Sequence, residues 1–213
     1  MSSDKPATIG VLASGRGSNF AAILQRQLDG YFENAKIVCL LSNKPTAPAL
    51  ELAAEAGLAA YAVPPKDFDT PLAYEARIVE LLEEHGVDLV VLAGYMKILG
   101  PTILERYSGR IVNIHPSLLP SFPGLHAQRQ ALEHGVRFSG CTVHFVDAGL
   151  DSGPIIGQRA VPVFPEDTED DLCARILVEE HELFSSCVKA ITERPWKIDG
   201  RRVVFLDDLQ EYP

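Results

Sequence analysis

Short apolar runs rich in β-branched residues alternate along this chain with longer stretches of helical spacing. Thr8–Ala13 reads as a buried strand, and Phe20–Leu24 opens a helix. Lys36–Leu41 is a second buried strand. An alanine- and leucine-rich helix over Ala47–Ala56 follows, stopped by Gly57. Ala60–Val63 is a short third strand closed by Pro64 and Pro65. From Pro71 to His85, apolar residues at 72, 78, 79, 81 and 82 predict an amphipathic helix with proline in its first turn. Asp88–Ala93 is a continuous apolar run, as expected of a central parallel strand covered on both faces.

This order, β-α-β-α-β-α-β with short connections, predicts an α/β fold: a doubly wound, mostly parallel central sheet with right-handed crossovers and helices on both faces. The second half differs. Arg110–Val112 is a strand that runs into a proline-pinned loop, Leu125–His134 is a short helix, and Cys141–Val146 and Ile155–Pro162 are strands with no helix between them. The C-terminal part of the sheet is therefore expected to be antiparallel. Thr168–Asp171 is a capping signature with acids in the first turn. It opens the longest helix, to about Ala190, with apolar positions 172, 176, 183, 187, 188 and 191. Arg201–Leu206 is a last short strand. No linker, repeat or low-complexity segment interrupts the pattern, so one domain over 1–213 is expected.

Ligands of such sheets collect at the carboxyl ends of the strands. Three segments are expected on that edge: Ser14–Asn19, Gly94–Gly100 and Asn113–Gly124. The first is strand, glycine-rich turn, helix start, the geometry that receives a phosphate. Gly15 and Gly17 allow close backbone approach, and Ser18 and Asn19 can cap the helix. The turn is neither GxGxxG nor a Walker loop, which favours a single phosphate over a dinucleotide. A plain βα turn is the alternative. The second segment is an apolar loop with one cation, suited to a flat aromatic ligand or to packing back on the core. In the third, Asn113 and His115 are two apart and share a strand face. A satisfied polar pair is the plain alternative there. A carboxylate beside a strand-borne histidine, from Asp147 or Asp151, favours its charged form. With the Asn113 amide this makes two donors for a developing oxyanion, a device for acyl or formyl transfer without a covalent intermediate.

Composition narrows the choice. The 213 residues are 46% hydrophobic and 23% charged, ordinary for a globular protein, with a formal net charge of −10 and no basic run. That argues against nucleic acid as a partner. No apolar run approaches a membrane span, and the short polar N-terminus is neither a signal nor a transit peptide, so the cytoplasm is expected. The four cysteines form no CxxC pair and are expected as reduced thiols. The six histidines match no metal-ligand spacing, so no metal is expected. His134, at a helix end before Gly135, is expected to cap that helix, and His144 to be core or support for the site. There is no GxSxG elbow and no cysteine in an electropositive setting, which sets aside covalent hydrolysis.

Gly15-x-Gly-Ser-Asn19, Val91-Leu-Ala-Gly-Tyr-Met-Lys-Ile-Leu99, Asn113-Ile-His-Pro-Ser-Leu-Leu-Pro120, Phe122-Pro-Gly-Leu-His126 with Arg129-Gln-Ala-Leu132, and Val143-His-Phe-Val146 with Leu150-Asp-x-Gly-Pro154 occur in this order. Together they closely resemble the folate-dependent phosphoribosylglycinamide formyltransferases of purine synthesis, over essentially the whole chain. The resemblance implies the formyltransferase fold. It implies transfer of a formyl group from 10-formyltetrahydrofolate, as co-substrate, to the amine of glycinamide ribonucleotide by direct attack through a tetrahedral intermediate. Asn113 and His115 match the oxyanion-stabilising and proton-handling residues, and Asp151 the aspartate that orients the histidine. Gly17, Ser18 and Asn19 match the ribonucleotide's phosphate turn, and Glu180 an acid that contacts the ribonucleotide. Leu92 and Met96, Lys97, Ile98 and Leu99 match the folate pocket, completed by Asn113 and by Asp147, Ala148, Gly149, Leu150 and Asp151. On this resemblance the N-terminal half holds the phosphate site and the C-terminal half completes the folate and catalytic site. The partners are small-molecule substrates, with a monomer or homodimer and no membrane. Two positions depart from the family. Lys97 stands where arginine is common, keeping the charge without its bidentate geometry. Pro71 falls where an arginine near the folate is frequent, which leaves Lys66 as a candidate cation. The nearest rivals are other folate formyltransferases and formyltetrahydrofolate hydrolase.

Overall fold

Every residue of the strand Leu89–Leu92 is buried, as a central strand covered on both faces requires. It belongs to the first of two units into which the chain divides, residues 1–112 and 113–213. The computed structural model describes residues 5–207.

In the first unit, β1 (Ala7–Ala13), β2 (Ala35–Ser42), β3 (Ala59–Ala62) and β4 (Leu89–Leu92) lie in the order β3-β2-β1-β4, and every neighbouring pair is parallel. Parallel neighbours need crossovers. Helices α1 (Ser18–Leu28), α2 (Pro48–Glu55) and α3 (Pro71–Glu84) supply them. The chain winds outward from β1 to β3, then returns to place β4 on the other side of β1. The order thus reverses at β1, and the turns leaving β1 and β4 flank that switch point, where such sheets bind ligands. Gly10 makes the middle of β1 bare: a Cβ there would stand 2.6 Å from a methyl of Leu82 on α3. At the other end, Asp88 ties β4 to β1 by accepting from the Thr8 N–H at 2.9 Å and its hydroxyl at 2.8 Å.

Helix α4 (Pro101–Arg106) follows the loop that leaves β4, where the apolar pattern predicts no helix. Its start is satisfied from α3, because buried Glu75 accepts the Thr102 N–H at 3.2 Å. Strand β5 (Ile111–His115) begins with the last residues of the first unit and ends with the first residues of the second.

The second unit holds α5 (Ala127–Glu133), β6 (Phe138–Phe145), β7 (Ile155–Pro162), α6 (Glu169–Glu193), β8 (Trp196–Asp199) and β9 (Arg202–Phe205). β6 and β7 are antiparallel, β7 and β9 parallel, and β8 and β9 antiparallel. The expected α/β class, mostly parallel with antiparallel C-terminal strands, is the one found, with nine strands among the described residues. Thr168 and Asp171 close a capping box at the start of α6. Leu172, Ile176, Leu183, Cys187, Val188 and Ile191, the expected stripe, are all buried, and α6 packs on β6 and β7. In β6, buried Thr142 and His144 alternate with buried Cys141, Val143 and Phe145, so one face of the strand is polar and the other apolar.

Candidate active site

Asn113 and His115 close β5, with buried Ile114 between them facing the other way. The Asn113 amide donates from Nδ2 to Nε2 of His144 at 3.2 Å. His144 can accept because its Nδ1–H is spent on the Phe145 carbonyl at 2.9 Å. Burial also holds this imidazole below the usual histidine pKa, which keeps it neutral. His115 is only 6% exposed. Its Nε2–H donates to the Phe122 carbonyl at 2.9 Å, and its Nδ1 lies 3.5 Å from Oδ2 of Asp151.

Of the two candidate carboxylates, Asp151 is the one at the histidines. Its Oδ2 also accepts the Gly124 N–H at 2.8 Å, and its Oδ1 lies 3.8 Å from Nε2 of His144. Asp151 adopts φ +48°, a left-handed conformation that aspartate tolerates better than most residues. Asp147 turns into its own loop instead, accepting from the Gly149 N–H at 3.0 Å and the Ser152 hydroxyl at 2.8 Å. Ala148, Gly149 and Leu150 of that loop are exposed.

The loop after β5 is fixed from inside the unit. Ser117 is fully buried, and its hydroxyl donates to the Ser121 carbonyl at 2.5 Å, with the Phe122 carbonyl at 3.3 Å. Thr142 of β6 donates to the Ser117 carbonyl at 2.7 Å and accepts the Leu119 N–H at 3.0 Å. Gln158 of β7 donates to the same hydroxyl and to the Leu119 carbonyl, both at 2.9 Å. Phe122 has φ +54°, which aims its carbonyl at His115.

In the first unit, the turn after β1 differs in one respect from expectation. The N-cap of α1 is Gly17, at φ 77°, and no side chain caps the helix. Ser18 and Asn19 are its first helical residues, because Gly17 can take the left-handed conformation that starts the helix one turn position earlier. A Cβ on Gly17 would stand 2.7 Å from that of Ala49, so glycine is required there twice over. The first intrahelical bond runs from the Ala21 N–H to the Gly17 carbonyl at 2.7 Å. The backbone N–H groups ahead of it point out of the helix end, where an anion is favoured.

The loop after β4 buries Leu99 and leaves Met96 70% and Ile98 84% exposed. Leu92, before it, is buried in the strand. Lys97 places its Nζ 5.2 Å over the Tyr74 ring. It lines a cleft of roughly 120 Å³ together with Phe68, Asp69, Thr70, Pro71 and Tyr74. Lys97, rather than the exposed Lys66, is thus the cation that lines the cleft beside Pro71. Glu180 is buried on α6. Among the described residues, no group of three or more His, Cys, Asp or Glu side chains is placed to hold a metal ion, and no helix is long and apolar enough to cross a membrane.

Sequence reasoning missed the Phe122 carbonyl, since a positive φ at phenylalanine carries no local signal. It also left Thr142 unassigned. The available clue was the alternation of Thr142 and His144 with apolar neighbours, which marks a polar face needing partners. His134 caps α5 as expected, its Nδ1–H donating to the Gln130 carbonyl at 2.8 Å.

Residues 7–188 match the family model described as formyl transferase. A phosphoribosylglycinamide formyltransferase of Bacillus subtilis is 43% identical over 181 residues, covering 85% of this chain and 92% of that protein. A solved glycinamide ribonucleotide transformylase of Symbiobacterium toebii superposes with a TM-score of 0.93 at 47% identity, covering 96% of each chain. The trifunctional purine biosynthetic protein adenosine-3 of Drosophila melanogaster is 45% identical over 185 residues, which is 86% of this chain but 14% of the insect protein.

Proposed function

The chain belongs to the formyl transferase family, and we propose that Asn113, His115 and Asp151 carry out its chemistry. The enzyme is a phosphoribosylglycinamide formyltransferase. It transfers a formyl group from 10-formyltetrahydrofolate, its co-substrate, to the amine of N1-(5-phosphoribosyl)glycinamide in purine biosynthesis.

The observation that carries the mechanism is the placement of the His115 ring between the Asp151 carboxylate and the Phe122 carbonyl, two residues from the Asn113 amide. The substrate amine attacks the formyl carbon, and the carbonyl electron pair moves to oxygen. The resulting oxyanion needs donors that are already aimed. Asn113 keeps one Nδ2 hydrogen on His144, which leaves the second for this oxygen. His115 supplies another donor from Nε2 once the oxygen replaces the Phe122 carbonyl as acceptor. Asp151 orients the ring and stabilises the imidazolium. The oxyanion pair then re-forms the carbonyl as the bond from carbon to N10 of the folate breaks, and the proton lost by the attacking nitrogen is matched by the one N10 takes up as tetrahydrofolate leaves.

In this reading Gly17, Ser18 and Asn19 receive the ribonucleotide's phosphate, supported by the uncapped start of α1, and Glu180 contacts the same substrate. Leu92, Met96, Lys97, Ile98 and Leu99 bind the folate, with Asn113 and the loop Asp147–Asp151. The exposed apolar side chains of Met96, Ile98 and Leu150 support that role. The unbroken family match over residues 7–188 supports a single catalytic domain. Four free thiols, three of them buried, suit the reducing cytoplasm. The partners in this reading are the small-molecule substrates alone, with the protein a monomer or homodimer.

Turnover with ribonucleotide and 10-formyltetrahydrofolate tests the assignment. Formylated ribonucleotide should appear in step with tetrahydrofolate. Tetrahydrofolate released without a formylated product would identify a hydrolase instead.

A further inference from the structure

We propose that Ser14 is a positioning residue that couples the phosphate turn after β1 to the folate loop after β4. The proposal rests on the assignment of those two segments to the two substrates.

Ser14 is 2% exposed and directly precedes the turn. Its backbone N–H donates to the Gly94 carbonyl at 3.1 Å. Its hydroxyl accepts the Met96 N–H at 2.8 Å, so one residue holds both ends of Gly94-Tyr95-Met96, the start of the loop. A hydroxyl has a single hydrogen to give. Here it goes to Oδ1 of Asn43, just beyond β2, at 2.6 Å. Asn43 therefore fixes the rotor, and the lone pair stays turned toward Met96. On its other side the turn is pinned by α2: the Ala49 N–H donates to the Gly15 carbonyl at 3.4 Å, and Ala49 fills the space beside Gly17.

The consequence is thermodynamic. A phosphate held by the start of α1 orders residues 15–17 and, through them, Ser14. A folate lying on the loop orders Met96. Both ligands thus order the same hydrogen bond, and whichever binds second meets a partner already arranged. By linkage the effect is equal in both directions. A serine that merely closes β1 would change stability and leave this reciprocity alone.

The test is calorimetric titration of the full chain with glycinamide ribonucleotide and with tetrahydrofolate, which carries no formyl group to transfer, each alone and with the other saturating. In the unaltered protein each ligand should tighten the other at least about fivefold. In Ser14→Ala the separate affinities should stay within about threefold while the mutual effect falls below about twofold, and Ser14→Thr should restore it. Asn43→Ala, which frees the rotor and keeps the serine, should give an intermediate value and serves if Ser14→Ala does not fold. Independent binding in the unaltered protein, or full coupling in Ser14→Ala or in Asn43→Ala, overturns the proposal. Ser18→Asp separates the underlying assignment: a carboxylate at the first helical residue suits the helix but repels phosphate. Unchanged ribonucleotide affinity in Ser18→Asp overturns the phosphate assignment and the coupling with it. Weakened affinity there, with coupling retained in Ser14→Ala, overturns the coupling alone.

Discussion

Asn113 donates to Nε2 of His144 across 3.2 Å, and that bond decides which way the amide faces. With its Nδ1–H on the Phe145 carbonyl, His144 offers only a lone pair, so the NH2 end of Asn113 must point to it, and one N–H remains for the proposed oxyanion contact. Asn113→Ala should lower kcat by about 10²- to 10³-fold, the usual loss of one oxyanion donor, with KM for the ribonucleotide little changed. Steady-state kinetics decide it: a loss confined to KM would remove Asn113 from the transition state.

In the proposed mechanism the His115 Nε2–H is the second donor to the oxyanion. His115→Ala should reduce kcat by about 10²- to 10⁴-fold and leave the far-ultraviolet circular dichroism unchanged. Near-normal turnover in a folded variant would sink the role.

Asp151→Asn isolates the charge. Asparagine is among the few residues at ease at φ +48°, and its carbonyl oxygen can still accept the Gly124 N–H, so the backbone should hold. What is lost is the carboxylate charge 3.5 Å from Nδ1 of His115, and kcat should fall by roughly tenfold or more. The comparison is kcat against the thermal unfolding midpoint. A variant that loses both in proportion would assign Asp151 to structure alone.

Burial lowers the His144 pKa from its ordinary 6.5, opposed in part by nearby Asp151, and burial likewise lowers His181. The unfolded chain therefore takes up these protons first as the solution is acidified. The stability they represent is complete above pH 6.5 and is lost as pH falls through the folded values. Urea midpoints should decline as pH falls below 6.5, and His144→Gln should flatten that decline. An equal slope in the variant would show that the fold does not lower the His144 pKa.

Periodicity found the elements that bury a face and missed those held by hydrogen-bonding partners instead. The α6 stripe was legible because each apolar position recurs at helical spacing. α4 was not, since its start is capped by Glu75 from α3. β8 was not, since most of it is exposed and it is held by pairing with β9 and by the bond from the Trp196 indole to the Ile191 carbonyl. In the candidate site, the Asn113 and His115 face was readable from alternation. The choice of Asp151 over Asp147 came from family resemblance, and the contact distances support it. The acceptor carbonyl of Phe122 depends on a backbone angle that no side chain announces.

Thr142 gives the loop after β5 an unusual tolerance profile. Its one hydroxyl serves Ser117, Leu119 and Gln158 at 2.7–3.0 Å, in a strand that is buried from Ser139 to Phe145. Thr142→Val keeps the shape and strands the Leu119 N–H and the Ser117 carbonyl, each at a cost of about 1–3 kcal/mol, while exposed Gln158 can turn to water. Residues 117–124 should therefore behave toward insertion and deletion as an interior strand does. Sequence drift among relatives should be tolerated in the side chains of this loop and refused in its length.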